Sequence, residues 1–296
     1  MKTIDPKEIS TAELHSYLLG AIAPRPIAFA STVDASGNVN LSPFSFFNVF
    51  GSNPPMLVFS PARRVRDNST KHSLDNVLEV PEVVINMVNY EMVEQMSLAS
   101  TEYEKGVNEF IKSGLTASPS TKVKPPRVKE SPAAFECKIK QVIPLGEEGG
   151  AGNLVLCEVV LAHFREEIFD ENGKVDPFKL DAVSRMGGDW YCRAQGEALF
   201  EIPKPLRNKG IGVDAIPLSI RNSTVLSGNN LGRLGNVEQL PSEEDIAAFA
   251  TQPVIQEMRI RFKNDKESYV NHLHQYAKDV LEIGDVETAW KILLQV

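Results

Sequence analysis

Cysteine is scarce: Cys137, Cys157 and Cys192 are too few for a disulfide framework, and any single bridge would leave one thiol over. That fits a reducing compartment. The opening Met1-Lys2-Thr3-Ile4-Asp5-Pro6 lacks the basic-then-apolar order of a secretory leader, so a cytoplasmic location is expected. No apolar stretch approaches the roughly 20 residues that span a bilayer as a helix, and no membrane partner is expected. Metal-ligand spacings are missing too. There is no Cys-x-x-Cys or His-Glu-x-x-His, and the closest pair, His272 and His274, sits two apart on a predicted helix and points in different directions. No metal site is expected. Basic residues are outnumbered, 31 to 39, and the net charge of −8 argues against broad nucleic-acid binding, which needs a basic face.

What is present suits a globular chain of 296 residues, large enough for two domains or for one domain with an extension. From Arg25 to about Phe200 the β-branched and aromatic residues cluster into a run of strands: Ile27–Val33, Val39–Phe47, Met56–Ser60, Val83–Val88, Phe135–Pro144 and Leu154–Phe164. Asp34-Ala35-Ser36-Gly37 and Asp170-Glu171-Asn172-Gly173 read as hairpin turns, and Gly149-Gly150-Ala151-Gly152 as a mobile hairpin tip. Helical insertions are predicted over Ser69–Leu78, Glu91–Ala99 and Lys105–Ser113, and Lys122–Pro132 reads as an extended surface loop. The pattern predicts a mainly β fold with helical insertions, an antiparallel barrel or sandwich, over residues 1–202. A Gly-, Pro- and Asn-rich connecting segment, 203–241, follows. Residues 242–296 then form a small helical extension, with Asp265 and Asp285 placed as N-caps.

Three segments could carry chemistry. Asn40-Leu41-Ser42-Pro43-Phe44-Ser45-Phe46-Phe47-Asn48 mixes small polar groups with aromatics, which suits either a slot for a planar polar ligand or a plain strand with Phe inward and Asn and Ser outward. Arg63-Arg64-Val65-Arg66-Asp67-Asn68-Ser69-Thr70-Lys71 is the exception to an acidic background. Its cations and hydroxyls lie at a predicted helix start, where free N–H groups favour a phosphate. Arg185-Met186-Gly187-Gly188-Asp189-Trp190-Tyr191 permits a tight turn presenting an aromatic ring. His163 ends a strand, where it could donate to a ligand or serve the structure. Gly210-Ile211-Gly212-Val213-Asp214-Ala215 matches a dinucleotide fingerprint in letters only: no strand precedes it and Pro217 interrupts the helix it requires, so it reads as a glycine-rich turn.

At these positions the chain resembles the flavin reductase-like, FMN-binding split-barrel family that includes flavoredoxin. The resemblance runs from about residue 20 to 200. It is carried by Pro24-Arg25-Pro26-Ile27-Ala28, Asn40-x-Ser42-Pro43-x-Ser45-x-Phe47, Pro54-Pro55, Arg66-Asp67-x-Ser69-Thr70, Glu82-x-Val84-x-Asn86 and Arg185-x-Gly187-Gly188-x-x-Tyr191. Many members have Lys-Asp-Thr where this chain has Arg66 to Thr70. The resemblance implies an antiparallel split β-barrel and a homodimer with FMN bound near the interface. It implies Asn40, Ser42, Pro43, Ser45 and Phe46 along the isoalloxazine and ribityl chain, and Arg66, Ser69 and Thr70 at the phosphate. Lys105, His163 and Tyr191 would be further flavin neighbours. The expected activity is that of a flavin reductase, in which hydride from NADH or NADPH reaches flavin N5 and electrons pass to free flavin or another small-molecule or redox-protein acceptor. No side-chain nucleophile is needed. An FMN electron carrier, or a flavin-binding protein without turnover, is the alternative.

Overall fold

Every residue from Ala28 to Val33 is buried, and the side chains divide by parity: Ala28 and Ala30 enter one core cluster and Phe29 enters another. Period-two alternation produces this wherever both faces of a strand are covered. The computed structural model describes residues 1–202, 204 and 209–296, which divide into two units, Met1–Phe200 and Glu201–Val296. In the first, α1 (Thr11–Ala21) precedes β1 (Ala28–Val33), β2 (Val39–Phe44), β3 (Phe47–Ser52) and β4 (Pro55–Phe59). Next come α2 (His72–Glu79), β5 (Glu82–Asn86), α3 (Val93–Leu98) and α4 (Glu109–Ser113). A short ladder of β6 (Ala117–Ser118) and β7 (Arg127–Val128) leads into the long hairpin β8 (Ala133–Pro144) and β9 (Asn153–Phe164). The unit ends with α5 (Pro177–Leu180) and the small ladder β10 (Val183–Arg185) and β11 (Tyr191–Arg193).

Seven strands form one antiparallel sheet in the order β2-β1-β5-β8-β9-β4-β3. β2 and β3 stand at its opposite edges, although only Ser45 and Phe46 separate them in the chain. A flat sheet of this width would hold its edges about 29 Å apart, whereas the chain from Phe44 to Phe47 can span at most about 11 Å. The sheet is therefore strongly curled. Among the described residues no ladder joins β2 to β3, so it does not close. The single strand predicted over Val39–Phe47 is thus two, broken where the chain crosses from one edge to the other. Pro43, which has no N–H to donate, sits on the edge strand β2, where that loss is tolerated. Leu74 and Val77 of α2 cover one core cluster, and Met96 of α3 with Phe110 of α4 cover the other.

One helix is unannounced by the sequence pattern, and one expectation changes. Helix α1 carries no sequence signal of burial, since none of its residues is buried, but Ser10 caps it by accepting the Glu13 N–H at 3.2 Å. The Gly149–Gly152 tip is docked. The Gly150 N–H donates to Arg63 O at 3.0 Å, the Arg63 N–H donates to Ala151 O at 2.8 Å, and a Cβ on Gly149 would lie 3.0 Å from Val65 O. Glycine is needed there because two backbones touch.

The second unit contains α6 (Leu218–Arg221), α7 (Gly228–Leu234), α8 (Glu243–Ala250), α9 (Pro253–Arg261), α10 (Lys266–Glu282) and α11 (Val286–Leu293). Asp265 and Asp285 cap the last two as predicted, accepting from the Ser268 and Thr288 N–H groups at 3.0 Å each. Trp290, with 1% exposed, centres a core built with Leu273, Leu281 and Ile255, and its Nε1–H donates to Leu234 O at 3.1 Å. The segment expected as a connector also supplies Ile216, Ile220, Leu226 and Leu234 to this core. Its start, Pro203 and residues 205–208, lies outside the described residues. The glycine-rich match at Gly210 is a turn: the Ile211 N–H donates to Val237 O at 2.8 Å, the Gly212 N–H to Gly235 O at 3.0 Å, and the next helix after it starts only at Leu218.

Candidate functional site

Asn40 and Ser42, two residues apart and so on one face of β2, line a small polar cup together with Arg64, Lys71, Ser73 and Thr101. Asn40 is buried and donates through Nδ2 to Ser73 Oγ at 2.8 Å, which joins the strand to the first turn of α2. The basic loop folds over this junction in a tight turn. Asn68 takes a left-handed conformation (φ 56°), the Asn68 N–H donates to Arg64 O at 2.9 Å, and the Arg64 N–H donates to Ser69 O at 2.9 Å. That turn sorts four cations that look equivalent in sequence. Arg63 is spent on structure, donating through Nε to Asn68 Oδ1 at 2.6 Å and through Nη2 to Asn68 O at 2.8 Å. Arg64 points inward, its Nη1 bonding Ser69 Oγ at 2.9 Å and Thr70 O at 2.5 Å.

Arg64, Arg66 and Lys71 converge on one carboxylate, Glu102, from the loop after α3. Oε1 accepts from Arg64 Nε at 2.9 Å and Lys71 Nζ at 3.3 Å, while Oε2 accepts from Arg66 Nη2. Arg64, with Lys71 and Arg66 and against some desolvation, holds the Glu102 carboxyl down to about 2. Glu109, which also lines the cup, is buried and accepts the Leu41 N–H at 2.9 Å, and burial pushes its carboxyl up. The donor set fits a phosphate: three cationic groups, with hydroxyls beside them, already hold an oxyanion.

The hydroxyls predicted at the phosphate are turned elsewhere. Ser69 Oγ donates to Asp67 Oδ1 at 2.5 Å, and Thr70 Oγ1 donates to Asp75 Oδ1 at 2.9 Å. Arg66 is mostly exposed and, among the described residues, reaches only Glu102 and Asp67. Within the cup their places are taken by Arg64, Lys71, Ser73 and Thr101. Lys105 is exposed on the Glu102 loop and does not line the cup.

A second group gathers around Arg25, which the sequence shows only as a residue between two prolines. Its buried guanidinium donates to Leu19 O at 2.5 Å, Ile22 O, and Met186 O at 2.8 Å, and lies 3.5 Å from Ser45 Oγ. Burial and the charge of Arg185 push its pKa below the ordinary value, and no carboxylate pairs with it among the described residues. Its backbone bridges to Arg185, whose guanidinium stacks 4.5 Å from the Tyr191 ring centre. A Cβ on Gly187 would lie 2.8 Å from Gly20 Cα, so the paired-glycine turn lets β10 and β11 approach the end of α1. Ser45 and Tyr191 are thereby linked. Phe46, half-exposed, meets His15 edge-on, with ring centres 6.1 Å apart.

His163 stands apart. Pro43, Phe29, Asn86, Ala134 and His163 lie opposite one another in turn, so His163 is four strands from β2 by that route, while its strand β9 is two strands from β3 by way of β4. Its Nε2 lies 2.7 Å from Oε1 of the fully buried Glu136, whose carboxylate also accepts the Thr121 N–H at 2.8 Å and the Lys122 N–H at 2.5 Å. Burial pushes the Glu136 carboxyl up, and the two N–H groups with His163 outweigh it, leaving the net shift downward.

Comparison with known proteins gives this architecture a family. A protein of Aquifex aeolicus with no assigned function is 38% identical over 196 residues, covering 66% of this chain and 97% of that one. Nitrilotriacetate monooxygenase component B from Bacillus cereus shares the fold at a TM-score of 0.64 and 30% identity, over 68% of this chain and 98% of that one. The 2-nitrobenzoate 2-nitroreductase of Pseudomonas fluorescens does so at 0.60 and 29%, over 71% and 100%. The family model for the flavin reductase like domain matches residues 20–179, the stretch that contains the polar cup and all seven strands of the curled sheet. With more than half its length under that model, the chain belongs to the flavin reductase-like domain family.

Proposed function

We propose that this protein is an FMN-dependent oxidoreductase of flavin reductase type, built on a split barrel, that takes electrons from NADH or NADPH and passes them to free flavin or another acceptor. The observation that carries the reading is the convergence of Arg64, Arg66 and Lys71 on one oxyanion beside the hydroxyl-bearing strand β2. Bound FMN would supply the hydride- and electron-accepting chemistry. The chain's part is to bind and orient. Arg64 and Lys71 would hold the phosphate, with Ser73 adding a hydroxyl hydrogen bond. Asn40 and Ser42 lie along β2 for the ribityl hydroxyls, and Pro43, Ser45 and Phe46 continue toward the ring. Arg25, a buried cation beside Ser45, would favour negative charge at that end of the strip. The likeness to an oxygenase component and a nitroreductase supports a redox role in which acceptors differ between relatives.

The same reading takes the protein to be a cytoplasmic homodimer, because a flat cofactor on one curled sheet needs a second wall to exclude water. Anaerobic mixing of the FMN-loaded protein with NADH and with NADPH, followed at the oxidised-flavin absorbance, tests the activity. Rapid bleaching by one of them is expected. Bleaching by dithionite alone would make the protein an electron carrier.

A further inference from the structure

Resting on the phosphate reading of the cup, we propose that Glu102 is a built-in competitor for that site: its carboxylate holds the three cations until the cofactor phosphate displaces it and releases the loop that carries it. The three ion pairs made by Glu102 are, among the described residues, the ion pairs that tie the Ser100–Val107 loop to the Arg63–Lys71 segment. Among the described residues the loop backbone makes only local turns: Ser100 N–H to Ser97 O at 3.0 Å, Thr101 N–H to Leu98 O at 3.2 Å, Tyr103 N–H to Thr101 O at 2.9 Å, and Val107 N–H to Glu104 O at 3.2 Å. Glu102 is thus the loop's electrostatic anchor, and it occupies the donors a phosphate needs.

The exchange is favourable on chemical grounds. A carboxylate offers one negative charge and two oxygens to Arg64, Arg66 and Lys71. A phosphate monoester carries about −1.5 to −2 charges and three acceptor oxygens, and a guanidinium takes phosphate as readily as carboxylate. A ligand without a phosphate leaves Glu102 in place, so the competitor weakens the binding of FMN alone and narrows its margin over riboflavin. It also couples binding to the position of the loop that supplies Thr101 and Tyr103 to the cup.

Calorimetric titration of the apoprotein with FMN and with riboflavin, in wild type and Glu102→Gln, tests this. The amide keeps the size and removes the charge. Glu102→Gln is expected to bind FMN about tenfold tighter, the loss of one charge-assisted competing contact, with riboflavin affinity unchanged. Equal or weaker FMN binding by the variant, in a protein whose wild type prefers FMN, overturns the proposal. Equal wild-type affinity for FMN and riboflavin overturns the phosphate reading itself. Hydrogen exchange of residues 100–107 in the wild-type protein, with inorganic phosphate as the probe, gives a readout that needs neither flavin nor variant. Exchange should rise as phosphate saturates, and unchanged exchange overturns the proposal.

Discussion

Two guanidiniums only two residues apart on the same loop illustrate what the residue scale decides. Arg64 is mostly buried and aimed into the cup, whereas Arg66 is mostly exposed. A charge-assisted hydrogen bond contributes about 1.5–3 kcal/mol, so Arg64→Ala should weaken FMN binding by about tenfold or more. Arg66→Ala should cost less, since solvent screens an exposed charge. Titration of both variants checks the ranking, and a larger loss at Arg66 would reverse the assignment. Glu136 offers a stability test. Its folded pKa is depressed, so its contribution is present above the unfolded carboxyl value near 4.3 and fades as pH falls through the lower folded value. Glu136→Gln should cost about 1–3 kcal/mol at pH 7. Urea midpoints should show that deficit shrinking as pH falls below about 4. Asn40 and Ser42 are legible in sequence as small polar residues alternating on a strand. Arg64 and Lys71 are visible only as members of a run, because the left-handed turn at Asn68 decides which cation faces inward. Glu102 lies beyond α2 and β5 in the chain and carries no local signal.

At the scale of elements, the strands are readable because period-two burial and β-branched residues mark them, and most predicted boundaries fall close to those observed. What eludes sequence is the meeting of elements. The break at Ser45–Phe46 follows from β2 and β3 standing at opposite edges, and the end of the β8–β9 hairpin is fixed by its contact with the basic loop. That contact has a consequence for binding. Gly149→Val would press a branched side chain against the Arg64 and Val65 backbone, and overpacking of this kind costs about 1–3 kcal/mol. The variant should lose FMN affinity although the residue touches no cup side chain. Unchanged affinity, measured beside a denaturation curve, would show that the loop holds its shape without the hairpin. Helix α1 carries no burial signal in the sequence because it buries nothing, yet Arg25 fastens its end by bonding Leu19 O and Ile22 O.

For the whole molecule, all residues of the cup and of the Arg25 group fall within Met1–Phe200, and the second unit has its own core around Trp290. The boundary matters in choosing a truncation. A cut after Pro241 would strip Ile216, Ile220, Leu226 and Leu234 of the helices they pack against, and the product should aggregate. A chain ending at Phe200 should stay soluble and keep FMN affinity within a few fold, and loss of binding by a folded product would show that the second unit helps to build the pocket. The curled sheet has one further consequence, for the rate at which it forms. Its hairpins β1–β2, β3–β4 and β8–β9 are local, but Met56 of β4 lies opposite Glu158 of β9, about a hundred residues later in the chain. Closing a loop of that length costs entropy before any hydrogen bond repays it. Neighbouring hairpins should therefore appear early, and the β4–β9 seam should join last and limit the folding rate, as in other topologies of high contact order.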